Sequence, residues 1–144
     1  MNFTHLHVHT EYSLLDGSNK ITEYVERVKE LGMDSAAITD HGVMYGCIDF
    51  YRACKAAGIN PILGCEVYVA PSSRFDRETG AGEDRYYHLV LLAENNQGYS
   101  NLMKIVSKSF VEGFYYKPRV DLALLREYHE GIIALSACLA GEVA

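Results

Sequence analysis

The chain has 144 residues, 49% of them hydrophobic, a formal charge of −6 at neutral pH and a pI near 5.4. That length and apolar share fit one globular domain with a sizeable core, and no second domain is indicated. The acidic balance excludes a broad basic groove for a nucleic-acid backbone, so any phosphate binding has to come from a local cation or a bound metal.

The opening run Phe3-Thr4-His5-Leu6-His7-Val8-His9 predicts a strand with imidazoles at every second residue. Alternate side chains of a strand share a face, so His5, His7 and His9 would project together, and three imidazoles bury poorly unless their nitrogens find partners. The pattern points to a metal grip, with a solvated edge strand as the plainer alternative. A turn at Asp16-Gly17-Ser18 leads into a helix over residues 21–31, where Ile21, Val25, Val28 and Leu31 keep helical spacing and Gly32 supplies the stop. Residues 35–39 read as a buried strand ending in Asp40-His41-Gly42, residues 45–57 as an amphipathic helix closed by Gly58, and residues 61–69 as a third strand.

Residues 71–85 are rich in charge, Ser and Gly and predict a mobile surface loop, with Thr79-Gly80-Ala81-Gly82 its most flexible point. Residues 87–93 form the next strand. No helical pattern separates it from the strand before, so the two are expected to pair antiparallel across the loop, which sets His88 near Glu66. Asn95 or Asn96 caps a helix through Lys108, Gly113 to Arg119 make an exposed aromatic and basic turn, and Asp121 caps a short helix to residue 130. Residues 131–136 are the last strand, and residues 137–144 read as the start of another helix. The alternation predicts an α/β fold with a mainly parallel sheet, open or closed, and functional residues at the carboxyl ends of its strands.

His7, His9, His41, Glu66 and Cys138 all obey that rule. Imidazole, carboxylate and thiolate donors together suit Zn, Mn or Fe better than Mg or Ca. Their surplus over one tetrahedral ion suggests two or three metals bridged by Glu66, with phosphoester hydrolysis the natural reaction. Plainer readings compete residue by residue: Asp16 as a turn former, His88 as a hydrogen-bonded strand histidine, Cys138 as a core thiol. His129 reads as a surface residue. Cys47, Cys54 and Cys65 read as buried thiols rather than disulfide partners, since no C-x-x-C pair or secretory signal is present. No stretch approaches about 18 uninterrupted apolar residues, and a cytoplasmic location without membrane contact is expected.

Several ordered motifs carry a resemblance: His5 through Gly17, Thr39-Asp40-His41-Gly42, Gly64-Cys65-Glu66-Val67, Tyr87 through Ala93, Gly113-Phe114-Tyr115-Tyr116-Lys117-Pro118-Arg119, and Ala134 through Glu142. Together they closely resemble the polymerase and histidinol phosphatase (PHP) domain, and more narrowly the form of it at the N-terminal end of bacterial replicative DNA polymerase III alpha subunits. The resemblance implies a distorted seven-stranded β/α barrel with up to three transition metals at its mouth. By motif, His7, His9 and Glu66 would hold one ion, Asp16 and His41 a second, and Glu66, His88 and Cys138 a third. His5 would take a supporting or substrate-contacting role, Asp40 would orient His41 through a carboxylate–imidazole hydrogen bond, and Arg119 would contact a phosphate.

The implied activity is metal-dependent 3′ to 5′ exonuclease proofreading at a DNA primer end. Nucleotide transfer itself would reside in polymerase domains downstream, and a sliding clamp or a separate proofreading exonuclease subunit would be partners. At about 30 residues per β-α unit, seven strands need roughly 210 residues. A closing Asp-x-His ligand motif of the family also has no counterpart after Cys138, so the expectation is an N-terminal piece of a longer polypeptide, weakly active alone. A histidinol-phosphatase-like phosphoesterase and a non-catalytic docking module are the alternatives.

Overall fold

The computed structural model describes residues 3–77 and 86–141. After an irregular start come helix α1 (Ile21–Glu30), strand β1 (Ser35–Ile38), helix α2 (Cys47–Ala57) and strand β2 (Asn60–Val69). Then follow strand β3 (Tyr87–Ala93), helix α3 (Asn96–Val111), strand β4 (Arg119–Val120), helix α4 (Leu122–Glu127) and strand β5 (Ile132–Leu135). Gly58 closes α2 at φ 75°, a left-handed conformation glycine adopts freely. Asn95 and Asp121 cap α3 and α4 by accepting from Gly98 N and Leu124 N, each at 2.9 Å. Those side chains satisfy amides that the first helical turn leaves unpaired.

The long β2 organises the sheet. Its first half runs parallel to β1, with Ser35 opposite Asn60 and Ile38 opposite Leu63. Farther along the same strand His41 bridges to Glu66, and β4 pairs parallel at Tyr68 and Val69. From Gly64 to Val69, β2 also pairs antiparallel with β3, which in turn pairs antiparallel with β5. The sheet is therefore mixed, not mainly parallel: the expected β2–β3 hairpin is present, and β5 adds a second antiparallel ladder. Because β5 is antiparallel to a strand that is itself antiparallel to β2, it runs in the direction of β2, and its carboxyl end still faces the site.

Residue alternation along β2 sorts two environments. Cys65, Val67 and Val69 pack with Leu91, Leu102, Ile105, Val106, Val120 and Leu124 beneath α3 and α4, while Glu66 and Tyr68 point to the opposite face. A second core joins α1, α2 and β1 through Ile21, Val25, Val28, Ile38, Phe50 and Cys54. Cys47, Cys54 and Cys65 are buried free thiols, as expected.

Two elements expected from the sequence are not formed. Residues 3–9 make no strand; the segment is tied at Val8, whose N donates to the Thr39 hydroxyl at 2.7 Å while its carbonyl accepts from Thr39 N. A hydroxyl thus replaces one rung of a ladder. Residues 137–141 turn instead of entering a helix, with Ala137 at φ 62° and Gly141 N bonded to Cys138 O. The anticipated loop is pinned where it is described: Arg74 N meets Asp121 Oδ2 at 2.9 Å and Arg74 Nε meets Glu112 Oε2 at 2.7 Å. Thr79 to Gly82, its expected flexible point, lies outside the described residues, as do residues 142–144 of the expected last helix.

Candidate metal centre

Glu66 is 1% exposed and is ringed by imidazoles. Its Oε2 lies 2.7 Å from His7 Nε2, 2.5 Å from His9 Nε2 and 3.4 Å from His41 Nδ1, and its Oε1 lies 2.9 Å from His88 Nδ1. Asp16 forms a second hub, its Oδ2 standing 3.0 Å from both His9 Nδ1 and His41 Nε2. His9 thus spends one ring nitrogen on each carboxylate.

Local structure explains the convergence. Glu66 N donates to Asp40 O and Gly42 N to Glu66 O, which clamps the residues after β1 against β2 and sets His41 beside Glu66. Gly42 sits at φ 66°, and a Cβ there would press on the Tyr68 ring and on Pro118, so only glycine makes this approach without strain. Across the hairpin, Tyr68 is the register partner of His88, which brings His88 to the site face.

Three donor sets result: His7, His9 and Glu66; His9, Asp16 and His41; and His41, Glu66 and His88, the atoms of each within 4.8 Å of one another. The first is the set implied by the sequence resemblance. The second adds His9 to the expected Asp16 and His41, and the third joins Glu66 and His88 to His41 in place of the expected Cys138, so neighbouring sets share ligands. Cys138 lies at the edge, its exposed thiol 3.6 Å from His88 Nδ1.

The electrostatics follow from this crowding. Burial alone would raise the Glu66 pKa, yet hydrogen bonds from His9 and His7 outweigh it and bring the carboxyl down from 4.5 to about 2. His9 moves up from 6.5, chiefly through its hydrogen bond to Glu66. Asp16 is lowered against a burial effect of opposite sign by His41 and His9. His41 Nδ1 is buried and makes no hydrogen bond, a costly state for an imidazole nitrogen unless an electron-pair acceptor faces it. That unpartnered nitrogen, in a set whose imidazole and carboxylate donor atoms lie within 4.8 Å of one another, fits divalent transition-metal ligation.

Three expected site residues take other positions. His5 is exposed, packs edge-on against Phe3 with ring centroids 4.8 Å apart, and joins no donor set, because without a strand the period-two alternation does not carry it inward. Asp40 does not meet the His41 ring. It accepts from Thr10 N at 2.6 Å and from the Thr10 and Ser13 hydroxyls at 2.7 Å each, tying down the loop that carries Asp16. Arg119 is 1% exposed and donates to the carbonyls of Gly113, Arg74 and Asp76, so its guanidinium is spent inside the protein instead of on a phosphate. His129 is exposed and bonded to Arg126 O, as expected.

Sequence reasoning missed Tyr68, which stacks on His41 at 6.0 Å and meets His88 edge-on at 5.4 Å. Its signal was its place two residues after Glu66 on one strand face.

A sequence model of the PHP domain matches residues 5–144. The chain is 54% identical over 143 residues to DNA polymerase III subunit alpha of Treponema pallidum and 50% identical over 145 residues to that of Aquifex aeolicus. These matches cover 99% and 97% of the chain and 12% of each relative, so the chain spans about one-eighth of the curated relatives it matches. A solved structure from Bifidobacterium adolescentis, described as a metal-dependent phosphoesterase, superposes with a TM-score of 0.51 at 18% identity, over 75% of this chain and 33% of that one. That likeness concerns the fold.

Proposed function

The chain belongs to the PHP domain family, and we propose that it serves as the PHP domain of a replicative DNA polymerase III alpha subunit, hydrolysing phosphodiesters at the 3′ end of DNA in proofreading. The observation that carries this reading is Glu66, one carboxylate shared by imidazoles from four separate positions along the chain. His7, His9 and Glu66 would hold one divalent ion, His9, Asp16 and His41 a second, and His41, Glu66 and His88, with Cys138 alongside, a third. Zn, Mn or Fe supplies Lewis acidity and a hydroxide nucleophile at neutral pH when bound at such a site.

The protein's own groups hold and shape this centre. Glu66 stays ionised far below neutral pH, so it binds without competing protons. Asp40 fixes the Asp16 loop through Thr10 and Ser13. Tyr68 packs against both His41 and His88 and backs the site on that side. The proposed substrate is a DNA primer 3′ end in the bacterial cytoplasm. A sliding clamp and a proofreading exonuclease subunit are proposed partners of the full-length protein, in which nucleotide transfer would be performed elsewhere.

The test is made in the full-length protein with Glu66→Gln and His9→Ala. Bound metal, read by elemental analysis, and release of 3′ nucleotides should both fall by more than the roughly 10–100-fold that outer partners of a metal site are worth. Variants that fold, bind the same metal and degrade DNA at the parental rate would refute the proposal. A parental protein that binds metal yet never releases nucleotides would favour the docking-module alternative.

A further inference from the structure

Beyond the donor sets, Lys117 stands beside the site with no carboxylate partner among the described residues. The Lys117 ammonium lies 5.5 Å from the centroid of the Tyr68 ring, the ring that packs on both His41 and His88, and among the described residues it makes no ion pair or hydrogen bond. In a chain of net charge −6, a cation with no acidic partner among the described residues, beside the candidate metal centre, is available to an anion from solution.

Lys117 is also held in place. Tyr115 N donates to its carbonyl at 3.0 Å, which closes the turn. Pro118 follows and confines the Lys117 backbone to extended geometry, and the Pro118 ring abuts Gly42 along with Tyr68. The Tyr68 side chain is 6% exposed, and its hydroxyl bonds to no described residue. An ammonium on an anchored backbone and an unspent phenol thus sit one aromatic ring away from the candidate imidazole ligands, set apart from the donor atoms that would hold the metal ions. Exposed rings of Phe114 and Tyr116 lie in the same turn, the mixture of cation and aromatic surface that single strands use.

Resting on the proposed hydrolysis, we infer that Lys117, seated over Tyr68, binds the phosphate next to the one attacked. The site would thereby prefer a single-stranded polynucleotide end over an isolated phosphomonoester. Arg119, the basic residue that the motif suggested for this task, is instead committed to backbone carbonyls.

The experiment is residue-specific acetylation of the full-length protein with Mn2+ present, read by mass spectrometry. Trithymidylate should slow Lys117 acetylation about fivefold or more, whereas thymidine monophosphate should not, since a charge-assisted contact needs the second phosphate. Lys117→Ala should raise KM for a single-stranded oligonucleotide about tenfold, with Lys117→Arg restoring most of it. Equal acetylation with and without trithymidylate overturns the inference, as does a parental KM in Lys117→Ala. A protein that shields Lys117 but releases no nucleotide keeps the subsite and sinks the hydrolytic reading. One that degrades DNA with Lys117 unshielded does the reverse.

Discussion

Asp40→Asn separates two roles for a residue that the sequence places beside His41. The carboxylate is 1% exposed and accepts from Thr10 N, Thr10 Oγ1 and Ser13 Oγ at 2.6, 2.7 and 2.7 Å. Hydrogen bonds to a charged acceptor contribute about 1.5–3 kcal/mol each. The amide keeps one acceptor oxygen but turns an NH2 toward groups that are themselves donors. Because the three bonds share one acceptor and do not add, the expected loss is about 3–5 kcal/mol, comparable to breaking a buried polar pair. With a urea slope of about 2 kcal/mol/M, the unfolding midpoint falls by about 2 M. The loop from Thr10 to Gly17 should loosen first, since Ser13 also anchors it through Gly17 N to Ser13 O at 2.7 Å, and the set His9, Asp16 and His41 should lose its metal before the other two. Urea unfolding followed by circular dichroism, with a parallel metal titration, measures both effects. A midpoint within 0.5 M of the parent, together with a 10–100-fold loss of metal affinity, would refute this reasoning and restore Asp40 to the role of orienting an imidazole.

Arg119→Lys tests the complementary correction: an ammonium cannot reproduce the planar fork that reaches the Gly113 carbonyl on one segment and the Arg74 and Asp76 carbonyls on another, so stability should drop by about 2–3 kcal/mol while the salt dependence of oligonucleotide binding stays at the parental slope. A shallower slope would mean that the guanidinium does touch phosphate. Phe50→Ala removes a fully buried ring stacked on Tyr24 at 6.0 Å; a cost of about 3–5 kcal/mol in urea unfolding is expected, and a loss under 1.5 kcal/mol would show that the α1–α2 core collapses to fill the gap. In metal-free protein the His9–Glu66 pair gives a definite pH signature. Glu66 is depressed from 4.5 to about 2, so its contribution is present above 4.5 and lost as pH falls through 2. His9 is raised from 6.5, so its contribution is present below 6.5 and lost as pH rises through the elevated value. Thermal melts with a chelator should therefore show this contribution at its fullest between about 4.5 and 6.5, and saturating metal should abolish the decline on the alkaline side.

What the sequence made legible were features that follow from short-range periodicity. The pattern over residues 61–69 announced the strand that bears Glu66 beside a buried Cys65, and the lack of a helical pattern between β2 and β3 announced the hairpin that carries His88 to it. Both depend on the pleat of a strand and little else. The misplacements arose where tertiary hydrogen bonding overrode the pattern. His5, His7 and His9 alternate as a strand would, but Val8 bonds to the Thr39 side chain as well as to its backbone, so no regular ladder forms and His5 turns outward. Arg119 sits in a basic, aromatic motif that suggests solvent and phosphate. Only the folded chain shows the Gly113, Arg74 and Asp76 carbonyls converging on it. The resemblance drew Asp40 toward His41 by adjacency, whereas its partners are 27 and 30 residues away.

The same geometry explains why ligand sharing matters more than ligand number. His9 bonds both Glu66 and Asp16, and His41 approaches both, so each carboxylate's position depends on imidazoles that also serve the other. Filling one donor set fixes the rotamers of residues in the next and reduces the entropy still to be lost there, which favours cooperative loading. Loading also displaces the proton that His9 holds when the site is metal-free, so affinity should rise with pH through the His9 titration and then level off. Replacing Asp16 by Asn leaves the set His7, His9 and Glu66 chemically intact. If the sets were independent, the first metal would bind that variant as tightly as the parent; coupling through His9 requires it to bind measurably less tightly, and isothermal titration of the two proteins at one pH decides between them.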